Sequence, residues 1–209
     1  LMLLSFQYVE AQKKAAIVQE PKFRTEKDLL GEKQIPFDAY YGVQTLRALE
    51  NFQISGVKTN FYPDYVKAYA IVKLAAARAN TEVGRMKPER MAAIEKACQA
   101  VIDGKYHDQF LTDLYQGGAG TSANMNANEV IASRANELIG GTKGDIKPIR
   151  PIEDVNRCQS SNDVIPTAIH LAALDGIDHD LLPAVETLAV GLEKKAREFH
   201  HVLKTGRTH

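Results

Sequence analysis

Residues 63–84 read Pro-Asp-Tyr-Val-Lys-Ala-Tyr-Ala-Ile-Val-Lys-Leu-Ala-Ala-Ala-Arg-Ala-Asn-Thr-Glu-Val-Gly. Proline opens the run, where a missing N–H costs nothing, and glycine closes it. Between them Val66, Tyr69, Ala70, Lys73, Ala76, Ala77 and Asn80 recur at i, i+3, i+4 spacing and trace a mostly apolar stripe. The spacing predicts a helix, and the pattern recurs along the chain. A second helix is predicted from about Pro88 to Asp103, with Gly104 as its stop and Met91, Ile94, Ala97, Cys98 and Val101 as its stripe. A third is predicted from about Asn124 to Ile139, stopped by Gly140-Gly141. From Asp163 to about Leu203 nearly every residue is helix-forming, with Gly176 and Pro183 as kinks or a break. Residues 22–60 differ: short extended pieces (Phe23–Glu26, Ile35-Pro36, Tyr40–Gly42) precede a helix-friendly run from Val43 to Asn51. Residues 105–121 and 142–162 lack periodicity and read as loops, and residues 1–21 as a flexible N-terminal arm. The fold class is mainly α, with minor strand near the N-terminus.

Composition narrows the function classes. Of 209 residues, 44% are apolar and 25% charged, ordinary for a soluble globular protein. The 26 basic residues balance the 26 acidic ones, so no net positive field exists for nucleic acid or an anionic membrane. No apolar run approaches the ~20 residues of a membrane span, and the start does not read as a signal peptide. Two cysteines without a CxxC pair point to a reducing, cytoplasmic setting. Cys158, with no activating partner in the sequence, is expected to be buried as a small apolar residue. His200-His201 are expected on a solvated face. No His, Cys, Asp or Glu spacing reads as a metal cage.

Three polar clusters stand out. In Gln116-Gly117-Gly118-Ala119-Gly120-Thr121-Ser122-Ala123-Asn124-Met125-Asn126-Ala127-Asn128-Glu129, glycines let backbone approach a ligand, and the loop runs into a helix N-terminus. Without a lysine after the glycines it is no P-loop. The plainer reading is a connector with Thr121 or Ser122 as N-cap. Gln159-Ser160-Ser161-Asn162-Asp163 sets two hydroxyls and an amide ahead of a long helix. It suits a carboxylate, and equally a simple cap by Asn162 or Asp163. Gly206-Arg207-Thr208-His209 ends the chain on a titratable donor; alone it signals little.

Together and in this order, the clusters resemble the fumarase/aspartase superfamily over most of residues 22–209. Phe23–Gly31 and Asp38–Phe52 resemble its N-terminal segments. Gly117–Asn126, Gln159–Asp163 and Gly206–His209 resemble three of its active-site regions. Ala119 and Ser122 follow the aspartate ammonia-lyase wording, where fumarases typically carry Ser-Gly-Thr-Gln-Ser, and His107–Phe110 agrees with it. One departure is Arg150-Pro151-Ile152-Glu153, where many members have His-Pro-Asn-Asp, part of a secondary dicarboxylate site in fumarases.

The resemblance implies an ammonia-lyase that converts L-aspartate to fumarate through an aci-carboxylate. Thr121, Ser160 and Ser161 would hold the β-carboxylate. Asn162, Thr208 and His209 would contact the amino group and α-carboxylate, His209 as a substrate contact and not the base. It implies a flexible Gly-Ser-Ser loop carrying a catalytic serine, a motif this sequence lacks. The chain is therefore expected to be an N-terminal part, inactive alone, with a lyase domain at 22–155 and a truncated start of a central helical-bundle domain at 156–209. The resemblance further implies no organic cofactor, Mg²⁺ as an activator, a small dicarboxylate as substrate partner and a homotetramer whose sites draw on several subunits. Thr121 and Ser160 are accordingly expected far apart within one chain. The stripe Ile165, Ile169, Ala172, Leu188 and Leu192 is expected to be exposed. Competing readings are a fumarate hydratase of the same fold, a silent helical structural homologue and an anion-binding module.

Overall fold

A computed structural model describes residues 22–207. Its elements are β1 (Phe23–Asp28), β2 (Gly31–Pro36), α1 (Val43–Asn51), α2 (Pro63–Glu82), α3 (Pro88–Ile102), α4 (Thr121–Leu138), α5 (Ser161–Gly176) and α6 (Leu182–Glu198). Short 3₁₀ turns stand at Thr59–Phe61 and His107–Gln109, and wide π-type turns at Pro151–Val155 and Ile177–Leu181. The mainly α class holds. The first two extended pieces form a hairpin, whereas Tyr40–Gly42 joins no strand.

The hairpin is antiparallel, Phe23 opposite Pro36 and Asp28 opposite Gly31. Asp28 closes the turn by accepting from Leu30 N at 2.9 Å. The same carboxylate takes two bonds from Arg47, at 2.6 and 2.7 Å, which fastens the hairpin to α1. Such forked pairs fix geometry as well as energy.

Helix α2 is central, packed against α3 on one side and α5 on another, while α4 packs on α3 and α1. The stripe read from the sequence is the buried face: Val66, Tyr69, Ala70, Lys73, Ala77 and Asn80 are buried, and Ala76 half-buried. On α3, Ile94, Ala97, Cys98 and Val101 are fully covered. Each large aliphatic side chain so buried contributes about 1.5–3 kcal/mol. Val164 and Ala168 of α5 are buried with this core. Beyond them burial ends: Ile169, Leu188 and Leu192 are exposed, and no residue of α6 is buried. The expected exposed stripe is thus present, except that Ile165 and Ala172 are half-buried against the core.

Two carboxylates staple loops to helices. Glu129 of α4 is buried and accepts from Gly42 N (2.9 Å), Gln44 N (2.9 Å), Thr45 N (3.0 Å) and Thr45 Oγ1 (2.6 Å), capping the start of α1. Gly42 is required there: a Cβ would stand 2.7 Å from Glu26 Oε2 and 3.0 Å from Glu129. Asp113 accepts from Ile54, Ser55, Gly56 and Tyr115 N–H groups and from Ser55 Oγ at 2.7 Å. Burial acts to raise its pKa, but the Ser55 hydroxyl and the backbone donors outweigh it, and the carboxyl lies at about 2 against an ordinary 3.8. Because the folded value is the lower one, Asp113 stabilises the fold above about pH 4 and loses that contribution as pH falls toward 2. Acid unfolding followed by circular dichroism is expected to shift toward neutral pH in Asp113→Asn. Coincident curves for variant and wild type would refute this.

Candidate functional site

The Gly-rich loop prepares the start of α4. Gly120 is its N-cap in the left-handed conformation (φ 75°), and no side chain of the cap residue bonds the helix. Instead Gln116 Oε1 accepts from Ala123 N at 2.7 Å, reaching in from upstream. Helix α4 begins at Thr121, three residues before the sequence expectation, and neither Thr121 nor Ser122 is its N-cap. Gly120 also permits close approach to α5: a Cβ there would meet Ile165 Cγ1 at 2.8 Å.

The second cluster starts α5. Ser160 is the N-cap, its Oγ accepting from Asn162 N at 3.2 Å, so the cap is neither Asn162 nor Asp163. Thr121 Oγ1 lies 3.2 Å from Ser161 Oγ. The expectation that Thr121 and Ser160 lie far apart in one chain is therefore corrected: Thr121 bonds Ser160's immediate neighbour. The physical reason is the docking of α5 on α2, which carries Ile165 over Gly120 and aligns the two helix starts. Thr121, Ser160 and Asn162 are exposed and Ser161 is half-buried. Two helix N-termini, each a positive dipole end, thus converge beside three hydroxyls and an amide. That arrangement suits a carboxylate. Thr208 and His209 lie outside the described residues.

Beneath the two helix starts sits a residue that the sequence reading placed on the helical stripe and gave no role in the site. Lys73, on the buried face of α2, is fully covered. Its ammonium donates to Asn124 Oδ1 (2.7 Å), Asn156 Oδ1 (2.8 Å) and Gln159 Oε1 (3.0 Å). Burial holds its pKa down at about 7. Asn124 Nδ2 and Asn128 Nδ2 also reach Asn156 Oδ1, at 3.0 and 3.3 Å. Asn126 serves otherwise, bonding Leu111 N and Gln109 O to fasten the loop before the glycines. The visible signal for Lys73 was a charge on a mostly apolar stripe.

Cys158 is exposed, contrary to the expectation of burial. Its backbone is left-handed (φ 56°), which turns the side chain outward, 3.9 Å from Arg85 Nη1. His200 and His201 are exposed as expected, in a turn after α6. In the departing stretch, Arg150 pairs with its own neighbour Glu153 at 3.2 Å, while Asp154 takes Arg90 at 2.7 Å and Arg150 N at 2.8 Å. Among the described residues no group of three or more His, Cys, Asp or Glu could hold a metal, and no helix is long and apolar enough to cross a membrane.

A family model described as lyase matches residues 31–209. A class II fumarate hydratase of Halobacterium salinarum is 54% identical over 187 residues, covering 90% of this chain and 39% of that protein. An aspartate ammonia-lyase of Pseudomonas aeruginosa is 53% identical over 185 residues, covering 88% of this chain and 39% of that protein. The crystal structure titled fumarate lyase:delta crystallin from Brucella melitensis, in native form, superposes with a TM-score of 0.85 at 51% identity, covering 90% of this chain and 43% of that one. A recombinant class II fumarase from Schistosoma mansoni superposes at 0.83 with 39% identity, covering 90% of this chain and 39% of that one. The chain spans about two fifths of the length of these curated relatives. By the match over most of its residues and by the identity of these relatives, the chain belongs to the lyase family of the aspartate ammonia-lyases and class II fumarate hydratases, the fumarase/aspartase superfamily.

Proposed function

We propose that this chain contributes part of the active site of an enzyme that removes ammonia from L-aspartate to give fumarate. The observation that carries the reading is the meeting of Thr121 and Ser161 at two converging helix starts. Removing the proton next to the β-carboxylate breaks a C–H bond and pushes its electron pair into that carboxylate, making a dianionic aci-form. As those electrons return to close the C=C bond, the C–N bond breaks and ammonia leaves. The hydroxyls of Thr121, Ser160 and Ser161, with the N–H groups of both helix starts, are the donors that receive the developing charge. Asn162, Thr208 and His209 are assigned to the amino group and α-carboxylate. The base is assigned to none of the 209 residues, since no Gly-Ser-Ser motif occurs among them. Mg²⁺ enters only through the family resemblance, and no step passes through it. A homotetramer, a boundary between 155 and 156 and a cytoplasmic setting belong to the same reading.

Ala119 and Ser122 favour aspartate over malate. Water is a poor leaving group that needs a proton, and a hydroxyl and an amide at these positions would support its departure. Here they are a methyl and a short hydroxyl, and ammonia leaves as a neutral molecule without a separate acid. The second reading, fumarate hydratase, is favoured by the 54%-identical relative of that name. Steady-state kinetics of the full-length gene product decide between them, and kcat/KM is expected to be higher for aspartate. A tenfold preference for malate, ~1.4 kcal/mol in the barrier, would put the hydratase in its place.

A further inference from the structure

We propose that Lys73 is a positioning residue for the dicarboxylate site, supplying from beneath it a buried positive charge that no carboxylate neutralises. The proposal rests on the functional reading above and deepens it. Three observations carry it. First, all three Lys73 bonds go to neutral amide oxygens, and no carboxylate lies within ion-pair distance of it among the described residues. Second, two of those acceptors belong to the two helix starts, Asn124 one turn into α4 behind Thr121 and Gln159 immediately before Ser160, and the third, Asn156, lies in the loop leading to the second. Third, the position is fully covered on a stripe whose other members are mostly apolar. Packing alone would be served there by Met or Leu, and a desolvated charge is costly unless it is both paired and hydrogen-bonded, whereas Lys73 is hydrogen-bonded and unpaired.

The groups facing the ammonium are Cys98 from α3, Asn124 from α4, and Asn156 and Gln159 from the loop before α5, with Asn128 of α4 bonded to Asn156 behind it. The amides are neutral, and burial holds the Cys98 thiol up at about 12. When Lys73 is protonated its charge is therefore uncancelled, and in a poorly solvated interior its field reaches further than it would in water; with the pKa held down at about 7, that charge is present below about pH 7 and lost above it. Negative charge on the substrate is greatest in the aci-form, so such a cation favours the transition state over bound substrate and acts mainly on kcat.

The test is to neutralise the charge without removing its hydrogen bonds. Asn156→Asp in the full-length protein keeps an acceptor at Lys73 Nζ and makes it a carboxylate, at the cost of the one bond that Asn156 Nδ2 donates to Gln159 O (3.1 Å). The thermal midpoint is expected to be unchanged or higher, with kcat/KM for aspartate at least tenfold lower, most of it in kcat. Succinate affinity by calorimetry is expected to fall at least threefold. A folded variant with a smaller loss of activity would overturn the proposal, because a purely structural lysine is indifferent to this change. If Asn156→Asp fails to fold, Asn124→Asp brings the carboxylate from the α4 side and is read the same way. Failure of both to fold would also overturn it, since pairing an uncompensated cation should not unfold the protein. If the wild-type enzyme turns over neither aspartate nor malate, the functional reading fails and the succinate arm alone decides. Weaker binding in the variant then supports the proposal, and equal affinity, or no binding by wild type, refutes it.

Discussion

Replacing Thr121 by valine in the full-length protein is expected to lower kcat/KM for aspartate about 10²–10³-fold, the usual cost of removing one preorganised donor from a developing anion, ~3–4 kcal/mol. Valine keeps the branched shape at the first position of α4 and removes only the hydroxyl. That hydroxyl's described bond is to Ser161, and Thr121 is exposed, so the fold has little to lose. Exposed substitutions of this kind usually change stability by within about 0.5 kcal/mol. Loss of activity with an unchanged melting temperature therefore assigns the hydroxyl to chemistry. The loss should appear in kcat more than in KM, because the charge it meets is greatest after proton abstraction. Activity within threefold of wild type would remove Thr121 from the site and leave Ser160 and Ser161 to hold the carboxylate alone.

A second large effect concerns stability. Glu129→Ala is expected to destabilise the described fold by about 3–5 kcal/mol, because it strands buried donors, each unmade bond costing about 1–3 kcal/mol. Gly42 N, Thr45 N and Thr45 Oγ1 converge on one carboxylate oxygen and Gln44 N on the other. Burial pushes the carboxyl pKa up, against the pull of these donors. Glu129→Gln should be milder than alanine, since the amide oxygen can keep the three-donor side and only its NH₂ then faces Gln44 N. Urea unfolding measures both: midpoints should fall in the order wild type, glutamine, alanine, at constant slope. A loss under 1 kcal/mol for alanine would mean that the start of α1 finds other acceptors.

How much was legible in the sequence depends on where each decision is made. Helices α2 and α3 were readable nearly to the residue because a first-position proline and a closing glycine are local signals. The start of α4 was misplaced because its cap is a left-handed glycine and its true capping oxygen comes from Gln116, upstream of the helix. In Ser160-Ser161-Asn162-Asp163 each side chain is a competent cap, so local chemistry cannot choose among them. The choice falls with the docking of α5, which involves Ile165 and Gly120. The nearness of Thr121 and Ser161, 40 residues apart in sequence, is likewise a product of tertiary packing. Lys73 was visible as an anomaly, a cation on a buried stripe, but its meaning needed the acceptors from two other segments. Cys158 was misjudged because burial was inferred from residue type, whereas a left-handed turn decided it.

The wide turn at Ile177–Leu181 governs something that no single side chain encodes. A π-type turn admits one residue beyond the ordinary 3.6, and one residue in a helix is worth about 100° of rotation about the axis. Everything downstream is thus out of phase with α5 by that amount. Val164 and Ala168 stay seated in the core, while Leu188 and Leu192 are aimed along a bearing set by a residue count. Shortening the segment by one residue would swing that apolar ridge through more than a quarter turn and leave the helix starts at Thr121 and Ser161 where they are. The length of this one joint, and not its composition, works as the angular setting between the site and the surface α6 offers to its surroundings.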